Sequence, residues 1–115
     1  MILEELHGIL KRLRISAETA VFSNKPPAEY AVLTPLTDTY EVFADDRPEC
    51  EVCEVRITLY TKGNYLMTKF HVEEKLLRHG FTVTLRRYSG YDTDTGYHSY
   101  TIDVQKQYLL ERNDP

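Results

Sequence analysis

The sequence contains no tryptophan, only two cysteines and only five glycines. Two cysteines cannot build a disulfide framework, which fits a reducing compartment. The glycines at 8, 63, 80, 90 and 96 are scattered and form no phosphate-binding loop. No apolar run approaches the roughly 18 to 20 residues that a membrane-spanning helix requires. The opening Met1-Ile2-Leu3-Glu4-Glu5 carries acid where a secretory signal carries base, so the expected location is the cytoplasm. Fourteen basic residues stand against eighteen acidic ones, a net charge of −4, and the bases form no patch. A nucleic-acid binder needs clustered cations to neutralise phosphates, so gripping of DNA or RNA is not expected.

What is present fits one small domain over 1–115, with a frayed tail at 111–115. A chain of 115 residues buries roughly two thirds of its unfolded surface. That suffices for one layer of helix on one sheet. Nine tyrosines and four phenylalanines make the aromatic content lopsided. Tyrosine suits half-buried surfaces, where its ring packs and its hydroxyl stays wet, and so points to a protein–protein interface.

Apolar periodicity predicts a helix from Ile2 to Leu13, with Ile2, Leu6, Ile9, Leu10 and Leu13 on one side. Short strands are expected at Thr19–Phe22 and Glu29–Thr34, the second ending near Pro35. Thr37–Glu49 is polar and acidic around Tyr40, Val42, Phe43 and Ala44, and reads as a long excursion that could hold a short strand. Glu51–Thr61 alternates strictly, with Cys53, Val55, Ile57 and Leu59 against Glu54, Arg56, Thr58 and Tyr60. That is a strand with one buried face. Asn64 caps a second helix to His79, with Gly80 just past its end. Leu66, Phe70, Val72, Leu76 and Leu77 form its expected apolar side. Phe81–Tyr88 and Tyr97–Gln107 are strands of a hairpin, with Phe81, Val83 and Leu85 facing one way. The fold class is therefore α+β, a mainly antiparallel sheet of four to five strands with two helices on one face.

No constellation carries chemistry. Cys50-Glu51-Val52-Cys53 has the spacing of a zinc or redox pair, but it enters a strand, where residues three apart point to opposite faces. Asp45, Asp46, Glu49, Glu51 and Glu54 could hold a divalent metal in a nuclease, yet no lysine follows at the spacing that positions water. Asp92-Thr93-Asp94-Thr95-Gly96 lacks the downstream glutamate of a calcium loop and reads as a turn. The four histidines are scattered. No cofactor, metal or catalytic residue is expected, and the chain does not read as an enzyme.

Glu73 falls on the apolar side of its helix. A carboxylate there needs a partner, with Lys69, Arg56 or Arg86 as candidates; the alternative is a subunit boundary. The residues Glu54, Arg56, Thr58, Tyr60, Thr82, Thr84, Arg86, Thr101 and Asp103 would form a polar sheet face that helices do not cover. Two helices cover only one side of a sheet, so that face either meets solvent or meets neighbours.

The order and lengths of these elements resemble the tail terminator (tail completion, or tail-to-head joining) proteins of long-tailed bacteriophages and their prophage and tail-like relatives. The landmarks are Pro26-Pro27-Ala28-Glu29-Tyr30, Phe43-Ala44-Asp45, Val55–Thr61 followed at once by a helix, and Thr95-Gly96-Tyr97-His98. The resemblance implies a non-catalytic ring, generally hexameric, that caps the finished tail tube and joins it to the head connector. It implies self-association, a tail tube partner and a connector partner, with DNA passing through an acidic-leaning channel, in the host cytoplasm during assembly and then in the particle. It also implies ring contacts from the long loop (Tyr40, Val42, Phe43, Asp45, Asp46) and from the sheet face and second helix (Glu54, Arg56, Tyr60, Glu73, Arg86). Cys50 and Cys53 depart from the family pattern. Rival readings are another head–tail adaptor or assembly protein, or a small metal-dependent nuclease.

Overall fold

A computed structural model describes residues 1–19 and 26–110. The first helix, α1 (Ile2–Arg12), buries Ile2, Leu6, Ile9 and Leu10 and places Glu4 and Glu5 in its first turn and Lys11 and Arg12 in its last. Both placements favour the helix dipole. It closes with two reverse bonds, Ile15 N–H to the Leu10 carbonyl at 2.9 Å and Arg14 N–H to the Lys11 carbonyl at 3.0 Å. Arg14 takes the left-handed conformation that such a closure demands, at φ 62°.

Five strands follow the order β1-β2-β3-β5-β4: β1 (Ser16–Thr19), β2 (Glu29–Ala44), β3 (Arg47–Thr61), β4 (Thr82–Tyr91) and β5 (His98–Leu109). β1 runs parallel to β2, and every other pair is antiparallel. Of the expected strand at Thr19–Phe22 only Thr19 is described, in β1; residues 20–25 lie outside the described residues, as does the tail at 111–115. Between β3 and β4 lies α2 (Tyr65–Arg78). The Asn64 carboxamide oxygen caps it, accepting from Leu66 N at 3.1 Å and Met67 N at 3.3 Å. Its end is a Schellman closure: Phe81 N–H reaches the Leu76 carbonyl and Gly80 N–H the Leu77 carbonyl, with Gly80 at φ 81°.

Both helices lie on one face of the sheet. Ile57 and Leu59 on β3, Ile102 and Val104 on β5, Leu33 on β2, and Leu6, Leu10, Val72 and Leu76 on the helices form the core. Truncating one of these, such as Ile57→Ala, is worth about 2–5 kcal/mol. Polar ties fix the helices in place. Glu29 Oε2 accepts from Thr61 Oγ1 at 3.1 Å and from Thr68 Oγ1 at 2.7 Å, joining α2 to the sheet. Lys106 Nζ donates to Glu5 Oε2 at 2.7 Å and to the His79 carbonyl at 2.8 Å, joining β5 to both helices.

Three expectations fail, each for a definable reason. β2 does not stop at Pro35; it continues to Ala44, so Thr37–Glu49 is no loop but the outer parts of β2 and β3. β3 pairs with β2 on both sides of Pro35, from Glu29 to Ala44, and carries the strand through it. A bulge between Pro35 and Thr37 absorbs the irregularity. β4 also carries a bulge, between Val83 and Leu85. One extra residue reverses the facing of everything after it. Leu85 thus turns to the uncovered face and Arg86 to the helix side. Finally, α2 buries Val72 and Leu76 but leaves Leu66, Phe70 and Leu77 exposed, so its apolar residues form two faces rather than one.

Candidate assembly surfaces

The β3–β5 pairing ends at Cys50 and Leu109, whereas β2 and β3 pair onward to Ala44 and Arg47. Among the described residues, 42–49 therefore extend beyond the last β3–β5 pair as a two-stranded arm, about 10 Å from the Glu41–Cys50 pair to the Ala44–Arg47 pair at roughly 3.3 Å per residue, its base still tied to β5 where Leu110 N–H donates to the Glu49 carbonyl at 2.9 Å. The arm shows in the whole molecule. Its extents are 55 × 25 × 22 Å, and its radius of gyration is 16.0 Å, against about 13 Å for a compact chain of this length.

At its tip Asp45 and Asp46 both adopt positive φ, 53° and 60°. This is the turn geometry that matches strand twist, and Asn-Gly usually fills it. Asp tolerates it at some cost. Beside the tip Phe43 is 63% exposed; Tyr40, at the base opposite Glu51 and on the other face of the ribbon, is 60% exposed. Val42 lies within β2. Of the five residues expected at a loop contact, the structure thus places four side chains (Tyr40, Phe43, Asp45 and Asp46) on or at the base of one protruding hairpin.

The sheet-face set divides. Glu54, Arg56 and Tyr60 do share the face of β3 that no helix covers. Arg56 lies opposite Asp103 and holds it by two hydrogen bonds, Nε to Oδ1 at 2.9 Å and a terminal nitrogen to Oδ2 at 3.0 Å. Tyr60 stacks on Tyr30 at 4.7 Å between centroids, and Tyr97 meets Tyr30 edge-on at 5.3 Å. A cleft of about 390 Å³ opens beside these rings, lined also by Ser89, Asp92 and Ser99. Burial, then the neighbouring Tyr60 and Tyr97, raises the Tyr30 pKa. Glu73 and Arg86 do not belong to this face. The β4 bulge turns Arg86 toward α2, where its Nε meets Glu73 Oε1 at 3.2 Å. Lys69, the other candidate partner, instead donates to Tyr100 Oη at 3.2 Å.

The tyrosines mostly serve the fold. Tyr30, Tyr60 and Tyr97 form one ring cluster; Tyr65, Tyr88, Tyr91 and Tyr100 form another around His98. Tyr108 packs against the core. Tyr40 joins neither cluster, and with it only Tyr88 and Tyr91 are exposed among the described tyrosines.

The two cysteines are free and buried, on opposite faces of β3. Cys50 Sγ accepts from Gln107 Nε2 at 3.2 Å, while Cys53 sits in the core. Burial, then Asp38 and Glu51, pushes the Cys53 thiol up to about 12, which disfavours the thiolate that redox or metal chemistry needs. Asp45, Asp46, Glu49, Glu51 and Glu54 are strung along the arm and β3 on alternating sides. Among the described residues no three His, Cys, Asp or Glu side chains gather to hold a metal. Asp92-Thr93-Asp94-Thr95-Gly96 closes the β4–β5 hairpin, with Asp92 Oδ1 accepting from Asp94 N at 2.9 Å. No described helix is long and apolar enough to cross a membrane.

Sequence reasoning missed one surface. Leu66, Phe70 and Leu77 on α2 are 55%, 57% and 62% exposed, and at 100° per residue they fall within about 40° of arc. The spacing is visible in the sequence, but the same helix carries a second apolar face at Val72 and Leu76, and periodicity alone merges the two. No protein-family model matches this sequence, and no characterised protein matches it either.

Proposed function

We infer that this chain is a structural protein that assembles into a ring, of the kind that caps a completed phage tail tube and joins it to the head connector. The observation that carries the reading is the arm. Two strands extend past the last described β3–β5 pair, holding Phe43 in solvent beside a turn of two carboxylates, with Tyr40 exposed at the base. An isolated two-stranded ribbon is marginal in water, and large exposed aromatics on such a ribbon mark a contact surface. In a ring each arm reaches a neighbour, and closed rotational symmetry repeats one modest contact until none is left open. The uncovered face of Glu54, Arg56, Thr58 and Tyr60, with its mixed charges satisfied within the sheet, suits stacking against a tube ring or lining a pore. Net charge −4 suits a channel through which DNA passes without sticking. The partners are other copies of the chain, a tail tube protein and a connector protein, and the role is not catalytic.

Phe43→Asp is the direct test. Phe43 is exposed, so the variant keeps its fold by circular dichroism and its melting temperature within about 2 °C. It should run as a monomer in light scattering at micromolar concentration, where the unmodified chain runs as a ring. A ring that survives this change removes the arm from the assembly. An unmodified chain that stays monomeric and fails to cap purified tail tubes ends the functional reading.

A further inference from the structure

We propose that the tyrosine cleft on the uncovered face of the sheet is a binding site for a guanidinium group, either an arginine side chain or a small molecule with the same head. The assignment is independent of the ring reading and concerns a different surface from the arm.

Strand register gives the cleft its shape. Tyr30, Tyr60, Ser99 and Gly90 stand opposite one another across β2, β3, β5 and β4. The Tyr30 and Tyr60 rings lie 4.7 Å apart and within 13° of parallel. That is the spacing of adjacent strands, so the two rings stand side by side on the sheet. The row then drops from two rings to a hydroxymethyl group and to no side chain at all. One face of Tyr60 is covered by Tyr30; the other is turned toward the space above Ser99 and Gly90. The opening is built in, because Gly90 holds φ 143°, a conformation that side chains rarely adopt. Tyr97 stands at 85° to Tyr60, anchored where its hydroxyl donates to the Pro27 carbonyl at 2.5 Å. The cleft of about 390 Å³ between these groups is large enough for one small ligand group.

Its charge selects a cation. Asp92 is the one charged residue among those that line it. Asp92 Oδ1 accepts from Asp94 N–H at 2.9 Å, which fixes the carboxylate in the turn and leaves Oδ2 as an acceptor. The faces of the aromatic walls are also electronegative. The ring cluster already attracts a cation of its own chain: Lys62 Nζ lies 4.8 Å from the Tyr97 centroid, and Lys62 is not part of the lining.

The remaining groups select among cations. Ser89, Thr95 and Ser99 add hydroxyl oxygens to the lining. Ser99 Oγ donates its proton to the Gly90 carbonyl at 3.4 Å, so its lone pairs remain for a donor. A quaternary ammonium has no N–H to offer them. A guanidinium is flat enough to stack on Tyr60 and carries five donors in a fork that fits a carboxylate.

The test titrates the full chain with N-acetyl-arginine methylamide and follows backbone amides by NMR. Expected is saturable binding, with the shifts concentrated at Tyr60, Gly90, Asp92, Tyr97 and Ser99. Tetramethylammonium, methyl glucoside and inorganic phosphate should each bind about tenfold more weakly or less. Equal binding of any of the three overturns the guanidinium assignment, and shifts that grow without saturating overturn the site itself. These comparisons use the unmodified chain, so they decide the matter whether or not a variant folds. Asp92→Asn keeps the acceptor of the turn and should weaken binding about fivefold. Ser99→Leu fills the step beside Tyr60 and should weaken it about tenfold. Full affinity in both variants overturns the placement. A capped glycine–arginine–glycine peptide separates the two sources: tighter binding than the single amino acid identifies a protein chain, and equal binding a small molecule.

Discussion

The turn at Asp45 and Asp46 offers the sharpest separation of folding from function. Replacing the pair with Asn-Gly (Asp45→Asn, Asp46→Gly) keeps the backbone path and removes two costs. Non-glycine residues in the left-handed region carry roughly 1 kcal/mol of strain, most of which glycine relieves at φ 60°. Two adjacent like charges also disappear. Against this stands the extra freedom glycine brings to the unfolded chain, about 0.5–1 kcal/mol. With the carboxylate repulsion relieved, the net gain for the turn is about 0.5 kcal/mol, or roughly twofold in its open–closed equilibrium. If the arm melted only with the whole domain, this would raise the melting temperature by about 2 °C. That figure follows from roughly 2.1 cal/mol/K per residue over 115 residues. Among the described residues the arm lies past the last β3–β5 pair, however, so it opens on its own before the core does. The gain should therefore appear chiefly in amide hydrogen exchange: amides between Glu41 and Cys50 slow about twofold, while core amides such as Ile57 and Ile102 change little. Faster or unchanged exchange in the arm would refute the strain argument.

Two further outcomes follow from buried titratable groups. The Tyr108 hydroxyl is buried without a hydrogen-bond partner among the described residues. Glu5 lies near enough to raise its pKa, after burial as the main cause, but Glu5 Oε2 is held by Lys106. Tyr108→Phe should therefore stabilise the domain by about 0.5–1 kcal/mol in urea unfolding; a loss of more than 1 kcal/mol would show a partner for that hydroxyl. Cys53 has a folded pKa raised from 9.0 to about 12, so its contribution is complete below pH 9 and drains away as pH rises toward 12. Thermal stability should fall between pH 9 and 11, and Cys53→Ala should flatten that fall; an equal slope in both proteins would place the alkaline sensitivity elsewhere, in Tyr30 or Tyr108.

The sequence discloses what periodicity can carry. Alternation along Cys53, Val55, Ile57 and Leu59 identifies the central strand and its buried side. Asn64 and Gly80 mark the ends of α2 because a cap and a left-handed closure each need a particular residue type. Two classes of feature escape. Bulges are invisible to a period-2 pattern, since an inserted residue leaves both halves alternating; hence Arg86 reads onto the wrong face. Strand ends are set by tertiary neighbours. Pro35 reads as a stop in isolation, yet β2 continues through it because β3 pairs with it on both sides, with a bulge between Pro35 and Thr37 taking up the irregularity. The arm is legible as a place, through its acids and its Tyr40–Phe43 kernel, but not as a hairpin. Glu73 is legible as an ion-pair partner, and Arg86 reaches it from the helix side.

Several local choices do not serve the fold, and they are not distributed at random. The strained Asp45–Asp46 turn, the β2–β3 ribbon around it and the exposed apolar residues of α2 all lie on the outside of a core that is well matched apart from the Tyr108 hydroxyl. Ile57, Leu59, Ile102 and Val104 are buried and matched, the Arg56–Asp103 pair is bidentate, and both helices close with proper reverse bonds. A sequence shaped for folding alone would place Asn-Gly at the tip and charge at Leu77, since each is a single substitution or two away and costs the core nothing. Consistency broken only at the surface is what a contact surface shows. The same logic ranks the surfaces: in the tyrosine cleft Tyr30, Tyr60 and Tyr97 pack on one another, whereas Phe43 on the arm and Phe70 on α2 stand more than half exposed.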